Sequence, residues 1–225
     1  MLDNLDAMIV PVSSKPLAHD VEVQRVRNLL AEKGQLTAGT LLIRNPYETA
    51  EYENADIAME SFANAKYHAF ANVSRILGAK SVHFVDAKVE RNTSSQGGNA
   101  KFTLAWFKGN ADVKKEISKK LDQRIEGHMK FSGGAPALDE ARDYLNRRNL
   151  GHDQQMRDLV DMRSGINPIV DYTMKLSGTK EAAENFACAL SIAASAPVKA
   201  LSIGANFTKT ARAISSIEMT TKIQF

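Results

Sequence analysis

The hydrophobic period of this sequence changes at Gly78, from the spacing of a helix to the spacing of a strand. Before Gly78, apolar residues between Ala55 and Ile76 recur about every three or four positions, which is the pattern of one buried helix face. After it, apolar and polar residues alternate from Val82 to Glu90, as they do in a strand. A chain with both periods is expected to combine helices with a sheet.

The helix before Gly78 is predicted to be long. Asn45 can cap its first turn, and Pro46 suits the first helical position. Glu48 stands where its carboxylate can reach back to the cap amide. We therefore expect one helix over residues 46–78, about thirty residues long, which would span most of the diameter of a domain of this size.

The strand after Gly78 is predicted to have two regular faces. One face carries His83, Val85, Ala87 and Val89, and the other carries Val82, Phe84, Asp86, Lys88 and Glu90. The turn-forming loop 92–99 and the alternating residues 102–106 follow, so we expect a β-hairpin with a long tip.

Further periodic segments complete the expected fold. Helical spacing predicts helices at 20–33, 111–126, 137–148, 154–163 and 180–194, and alternation predicts strands at 40–44, 170–176, 201–207 and 217–225. Several strands follow one another without a helix between them, which favours antiparallel pairing. We predict an α+β fold, with a largely antiparallel sheet of about 5–7 strands packed against several helices.

The domain organisation is expected to be simple. No Pro-, Gly- or Ser-rich linker divides the 225 residues, so we predict a single globular domain over 1–225. A weak internal repeat, M-K-F-S-G at 129–133 and M-K-L-S-G at 174–178, precedes a predicted helix in each case. It leaves open a duplication of a strand–helix unit at 128–148 and 173–194, although two copies are too few for a solenoid.

Composition and termini indicate a cytoplasmic protein. The sequence is 44% hydrophobic and 24% charged, which is the balance of a globular domain. Its first ten residues carry acidic rather than basic side chains before a short apolar run, unlike a secretory signal. No apolar stretch approaches the roughly 20 residues of a transmembrane helix. Cys188 is the only cysteine, which fits a reducing compartment.

No motif assigns the chain to a catalytic class. Phosphate-binding loops, a nucleophile elbow and paired metal-binding histidines are all missing from the sequence. We therefore assign no catalytic residue, no metal ligand and no cofactor. The His152-Asp153 dipeptide, with His128 as a further ligand, leaves open a hydrolase whose active site is dispersed along the chain.

The most concentrated positive charge lies on the helix predicted at 111–126, and a second group follows on the helix at 137–148. The candidate nucleic-acid-binding residues are Lys114, Lys115, Lys119, Lys120, Arg124, Arg147 and Arg148. Acidic residues interleave with the lysines, as they do on an ordinary solvated helix surface. Net charge favours neither alternative, because Lys and Arg exceed Asp and Glu only by 29 to 26.

These observations favour a non-catalytic binding or assembly protein that acts as a homo-oligomer or through a protein partner. The hypothesis depends on the absence of catalytic motifs, on the alanine-rich helix, and on C-terminal strands whose edges another chain can pair. Nucleic-acid binding by the basic helix is the alternative. The hydrolase is the second alternative, and enzymatic activity is the less favoured hypothesis.

Overall fold

The structure is a computed structural model. It describes residues 7–9, 41–48, 51–90, 115–125, 127–178, 182, 185, 186, 189 and 216–225. The chain divides into two compact units, residues 1–61 with 181–212 and residues 62–180 with 213–225. The expected single domain over 1–225 stays a prediction.

The first unit contains a three-stranded antiparallel sheet in the order β1-β2-β3. Its strands are β1 (Ala7–Ile9), β2 (Leu41–Arg44) and β3 (Tyr52–Asn54). Strand β2, predicted at 40–44, is confirmed, and its consecutive residues Leu41, Leu42 and Ile43 are all buried. A continuous apolar run fits this central strand because both of its faces are covered.

Helix α1 begins at Ala55 and ends at Ile76, so the predicted helix over 46–78 is wrong in its extent. The side-chain oxygen of Asn45 accepts the N–H of Tyr47 at 2.9 Å and forms a local turn instead of a helix cap. The cap is supplied by Asn54, whose side-chain oxygen accepts the N–H of Asp56 at 3.0 Å. The helix therefore starts after β3 and has 22 residues.

The second unit contains a four-stranded antiparallel sheet in the order β5-β4-β7-β6. Its strands are β4 (Ser81–Glu90), β5 (His128–Lys130), β6 (Asp171–Ser177) and β7 (Ser216–Gln224). The mixed class and the antiparallel pairing are confirmed. The described residues form two sheets of three and four strands, however, and not the one sheet of about 5–7 strands that was expected.

A β-bulge at Val85 corrects the predicted faces of strand β4. Phe84 lies opposite Thr221 and Asp86 opposite Thr220, so Val85 has no residue opposite it. The extra residue shifts the side-chain alternation by one position. Val82 and Phe84 are therefore buried on the same strand as Ala87, while Val85 is 43% exposed.

Three further helices belong to the second unit. Helix α2 includes residues 115–124, α3 is Leu138–Arg147 and α4 is Gln154–Met162. The predictions at 137–148 and 154–163 are confirmed, and so is the described part of the prediction at 111–126. Each helix buries one apolar stripe: Ile117, Leu121 and Ile125 at α2, Ala141 and Leu145 on α3, and Met156, Leu159 and Val160 on α4.

Several predicted segments lie outside the described residues. These are the helix at 20–33, the loop at 92–99 and the strands at 102–106 and 201–207. Within 180–194, the described residues 185, 186 and 189 are helical. The proposed duplication stays a prediction, although its two strands, β5 and β6, lie at opposite edges of one sheet.

The four-stranded sheet has one covered face and one open face. On the covered face, the Tyr67 ring of α1 meets the Phe84 ring edge-on, with ring centroids 5.8 Å apart. The open face shows polar side chains to solvent, among them His83, Lys88, Thr173, Lys175 and Lys222. Among the helices described, none combines the length and the apolar character that crossing a bilayer requires.

Candidate functional site

The structure places the predicted nucleic-acid-binding residues on two different helices. Lys115, Lys119, Lys120 and Arg124 are exposed on α2, Arg147 is exposed at the end of α3, Arg148 directly follows it, and Lys114 lies outside the described residues. Lys120 pairs with Glu116 at 2.8 Å, and the Arg148 guanidinium lies 5.8 Å from the Tyr144 ring centroid. Both contacts lie within the chain and do not test nucleic-acid binding, so that alternative stays a prediction.

Two residues of the hydrolase alternative, Asp153 and His128, contact other groups of the chain. The Asp153 carboxylate is buried, lies 2.6 Å from the Lys66 ammonium and accepts the N–H of Met156 at 3.1 Å. It is therefore committed to an ion pair and to the cap of α4. The His128 ring lies beside the His83 ring, with centroids 5.4 Å apart. In the part of the chain that the structure describes, no group of three or more His, Cys, Asp or Glu side chains is placed to hold a metal ion.

A shallow cleft of about 230 Å³ lies between α3 and α4. It is smaller than the roughly 300–1,000 Å³ of a typical ligand pocket. Arg142 on its wall pairs with Asp139 at 3.2 Å and lies 3.8 Å from Asp161, and Arg157 donates to Gln154. These arginines are exposed and already contact acidic or amide side chains, so the cleft does not stand out as a ligand site.

Among the strands that the structure describes, β6 is an edge of the four-stranded sheet. Its odd-numbered residues turn their backbone groups away from β7. On the β7 side, the carbonyl of Val170 accepts the N–H of Phe225 at 2.8 Å. The N–H of Gly178 donates to the carbonyl of Ile217 at 2.7 Å on the same side. Because peptide groups alternate in direction along a strand, the backbone groups of Asp171 and Thr173 point to the open side.

The side chains of β6 follow the same alternation. Met174 and Leu176 are buried, whereas Asp171, Thr173 and Lys175 are exposed on the other face. The residues with outward backbone groups are therefore polar, with an acid and a base on either side of Thr173. A long edge strand of this kind can pair with a strand from another chain.

A side-chain amide covers the second half of this edge. The Gln155 amide nitrogen donates to the carbonyl of Lys175 at 2.5 Å, and its oxygen accepts the N–H of Ser177 at 3.4 Å. The amide thus takes the place of a peptide group in a neighbouring strand. No residue in the described part of the chain does the same for the outward groups of Asp171 and Thr173.

The loop before β6 exposes apolar side chains beside the open half of the edge. Ile166 is fully exposed at 106%, and Val170 is 63% exposed. Gly165, with φ of 83°, takes the left-handed conformation that glycine tolerates, and so allows the turn that precedes Ile166. We call the outward backbone of Asp171–Ser177, together with Ile166 and Val170, the β6 edge.

Arg163 holds the base of this loop. Its guanidinium donates to the carbonyl of Leu77 at 3.2 Å and to the carbonyl of Ile169 at 2.5 Å. It also lies 4.0 Å from the centroid of the Phe225 ring. Burial lowers the pKa of Arg163, because desolvation disfavours its charged form, and the carbonyls and the ring offset that cost. The loop therefore presents Ile166 from a fixed base.

Sequence reasoning predicted the strand at 170–176 but not its position at a sheet edge. The order of strands depends on long-range pairing, and two-residue alternation carries no information about it. The exposed Ile166 did leave a signal, since it stands between Gly165 and Asn167-Pro168, where turn-forming residues predict a surface loop.

Comparisons with known proteins find no relative: no protein-family model matches the chain, and searches of curated proteins and of solved structures find no match. Inferences about function therefore depend on the residues themselves.

Proposed function

We propose that this chain is a non-catalytic binding and assembly protein whose β6 edge takes a strand from another protein chain. The observation that carries the proposal is the pair of outward backbone groups at Asp171 and Thr173, which meet no described residue. A regular edge strand offers an added strand main-chain hydrogen bonds. Ile166 and Val170, exposed beside it, add apolar surface that association would remove from water.

A cytoplasmic location belongs to the same proposal. Its support is the single cysteine of the sequence, which fits a reducing compartment. Pairing through an open edge is also compatible with the lack of catalytic motifs, since it needs only backbone groups.

The test is Thr173→Pro. Proline removes the outward N–H and places its ring where an added strand would lie, yet the position donates no hydrogen bond to β7. We expect the tagged natural chain to elute from a clarified lysate above its own 24.7 kDa, and the Thr173→Pro chain to elute near that mass. Thr173→Val is the matched control, because it keeps the N–H and the strand preference.

Two results would overturn the proposal. One is a Thr173→Pro chain that is folded and elutes with the natural chain at high mass. The other is a natural chain that elutes at 24.7 kDa both in lysate and when purified. A high mass that nuclease treatment abolishes would instead support the nucleic-acid alternative.

A further inference from the structure

We infer that the strand taken up by the β6 edge is the β6 of a second copy of this chain, paired antiparallel around Thr173. The inference depends on the proposed function, since it uses the same edge. It names the partner and the register, and both follow from the residues with outward backbone groups.

The hydrogen-bonding pattern restricts the register. Two antiparallel edges can exchange bonds only between residues whose backbone groups point outward, which on β6 are the odd-numbered ones. A two-fold axis at Thr173 pairs Thr173 with its own copy. It also pairs Asp171 with Lys175 of the second copy, and Lys175 with Asp171. All three residues have backbone groups that point outward, and the Asp171–Lys175 pairs share the Lys175 carbonyl with the Gln155 amide.

Charge selects this register from the others. Asp171 and Lys175 are both exposed on the open face, and the two-fold arrangement sets each beside an opposite charge. A two-fold axis at Asp171 or at Lys175 would instead pair that residue with its own like charge. Opposite charges directly across a ladder stabilise it and like charges destabilise it. The register around Thr173 forms both favourable pairs at once.

Gln155 limits the length of the new ladder. Its amide already occupies the carbonyl of Lys175 and the N–H of Ser177. The second copy must therefore share the Lys175 carbonyl, which has two lone pairs, and must end its pairing there. Each copy would contribute the five residues from Asp171 to Lys175. A short ladder of this kind implies a dimer that exchanges with monomer.

The decisive experiment uses two single charge reversals. In Asp171→Lys, both positions of the edge carry lysine, and in Lys175→Asp both carry aspartate. We expect each purified variant to dimerise roughly tenfold or more weakly than the natural chain, because each self-pairing opposes like charges twice. An equimolar mixture should recover the dimer, since every lysine of one variant then faces an aspartate of the other.

Light scattering across a concentration series gives the dissociation constant of each sample. Lys175 also pairs with Glu218 at 2.9 Å, so Asp171→Lys is the cleaner single variant, and the unfolding midpoint of each variant checks that it is folded. Single variants that dimerise as tightly as the natural chain, or a mixture that stays monomeric, would overturn the register.

Gln155→Ala gives a second, opposite result. It removes the amide that contacts the carbonyl of Lys175 and the N–H of Ser177, and so should tighten the dimer by roughly three- to tenfold. A weaker dimer would contradict the ladder proposed here.

If the purified natural chain is monomeric while its high mass in lysate still disappears with Thr173→Pro, self-pairing is wrong and the edge binds a different protein. If Thr173→Pro changes nothing in lysate, the proposed function fails as well.

Discussion

The two edges of the four-stranded sheet differ in length and in charge. Strand β5 has three residues, and its outward positions His128 and Lys130 are a histidine and a lysine, with no acid between them. Strand β6 has seven residues, with an acid and a base spaced symmetrically around Thr173. Short strands and lysines discourage edge pairing. The comparison predicts that pairing is disfavoured at the β5 edge and that the charges of the β6 edge complement those of a second copy.

Helix α1 braces both sides of this sheet through adjacent residues. The Lys66 ammonium lies 2.6 Å from the carboxylate of Asp153, which caps the helix that carries Gln155 on the β6 side. The Tyr67 hydroxyl donates to the carbonyl of Gly127 at 3.2 Å, directly before β5. The β6 side therefore depends on a buried ion pair, which we call the charged brace. The β5 side depends on a neutral hydrogen bond, which we call the neutral brace.

The largest expected effect comes from breaking the charged brace. Asp153→Ala would leave the Lys66 ammonium buried without this carboxylate, since that side chain is 0% exposed. Removing one partner of a buried ion pair typically costs about 3–5 kcal/mol. We expect a loss of that size in the free energy of unfolding, measured by urea denaturation.

Two variants separate charge from capping at Asp153. Asp153→Asn keeps an oxygen that can accept the N–H of Met156, and so should retain the cap but still lose most of the ion-pair stabilisation. Lys66→Met combined with Asp153→Ala removes both charges and should recover part of the loss. A double variant no more stable than Asp153→Ala would show that the buried charge is not the cause.

The neutral brace should contribute less to the free energy of unfolding than the charged brace, and its contribution should depend on pH. Tyr67→Phe removes one hydrogen bond, for which we expect a loss of about 1 kcal/mol in the free energy of unfolding. Burial raises the pKa of Tyr67 from 10.0 to about 12, so the folded chain holds the phenolic proton more tightly than the unfolded chain. Its contribution is complete below pH 10 and is lost as the pH rises towards 12.

Urea denaturation between pH 10 and 12 measures this dependence. The Tyr67→Phe chain should lose stability less steeply over that range than the natural chain, because it lacks the phenol that ionises. Equal slopes would contradict the assignment. A loss larger than that of Asp153→Ala would reverse the ranking of the two braces.

The smallest expected effect is at the other edge. Lys130→Pro on β5 is the counterpart of Thr173→Pro, because Lys130 also lies on the outward side of its strand. The carbonyl of Lys80 accepts the N–H of Phe131 at 2.8 Å, which places the ladder bonds of β5 at the neighbouring positions. We expect the mass of the folded Lys130→Pro chain by light scattering to equal that of the natural chain. A lower mass would mean that β5, and not β6, is the assembly edge.

Local patterns predicted most elements of the fold, and they failed where two local choices competed. The sequence around Asn45 matches the pattern of a helix cap, whereas the structure places the cap at Asn54. The turn at Asn45 and the short strand Tyr52–Asn54 moved the start of α1 to Ala55. Alternation in β4 predicted the wrong faces for a different reason, because a bulge adds a residue without changing the composition of the strand.

Sequence patterns predicted the type of candidate site, a strand edge, but not which strand forms it. Alternation near the C-terminus predicted strands with pairable edges, but the identity of the edge strand depends on the order β5-β4-β7-β6. The partners of Lys66 and Gln155 lie far along the chain, at Asp153 and Lys175, and no local spacing connects them. The described basic residues that charge clustering singled out lie elsewhere, on α2 and at the end of α3.

The poor pairing capacity of β5 also determines where growth of an assembly would end. If two copies join through β6, their sheets merge into one of eight strands, whose outer edges are both β5. Because β5 is three residues long and basic, a third copy finds no strand to extend. The assembly is then closed by its own symmetry, and a chain with an open edge avoids becoming a fibre.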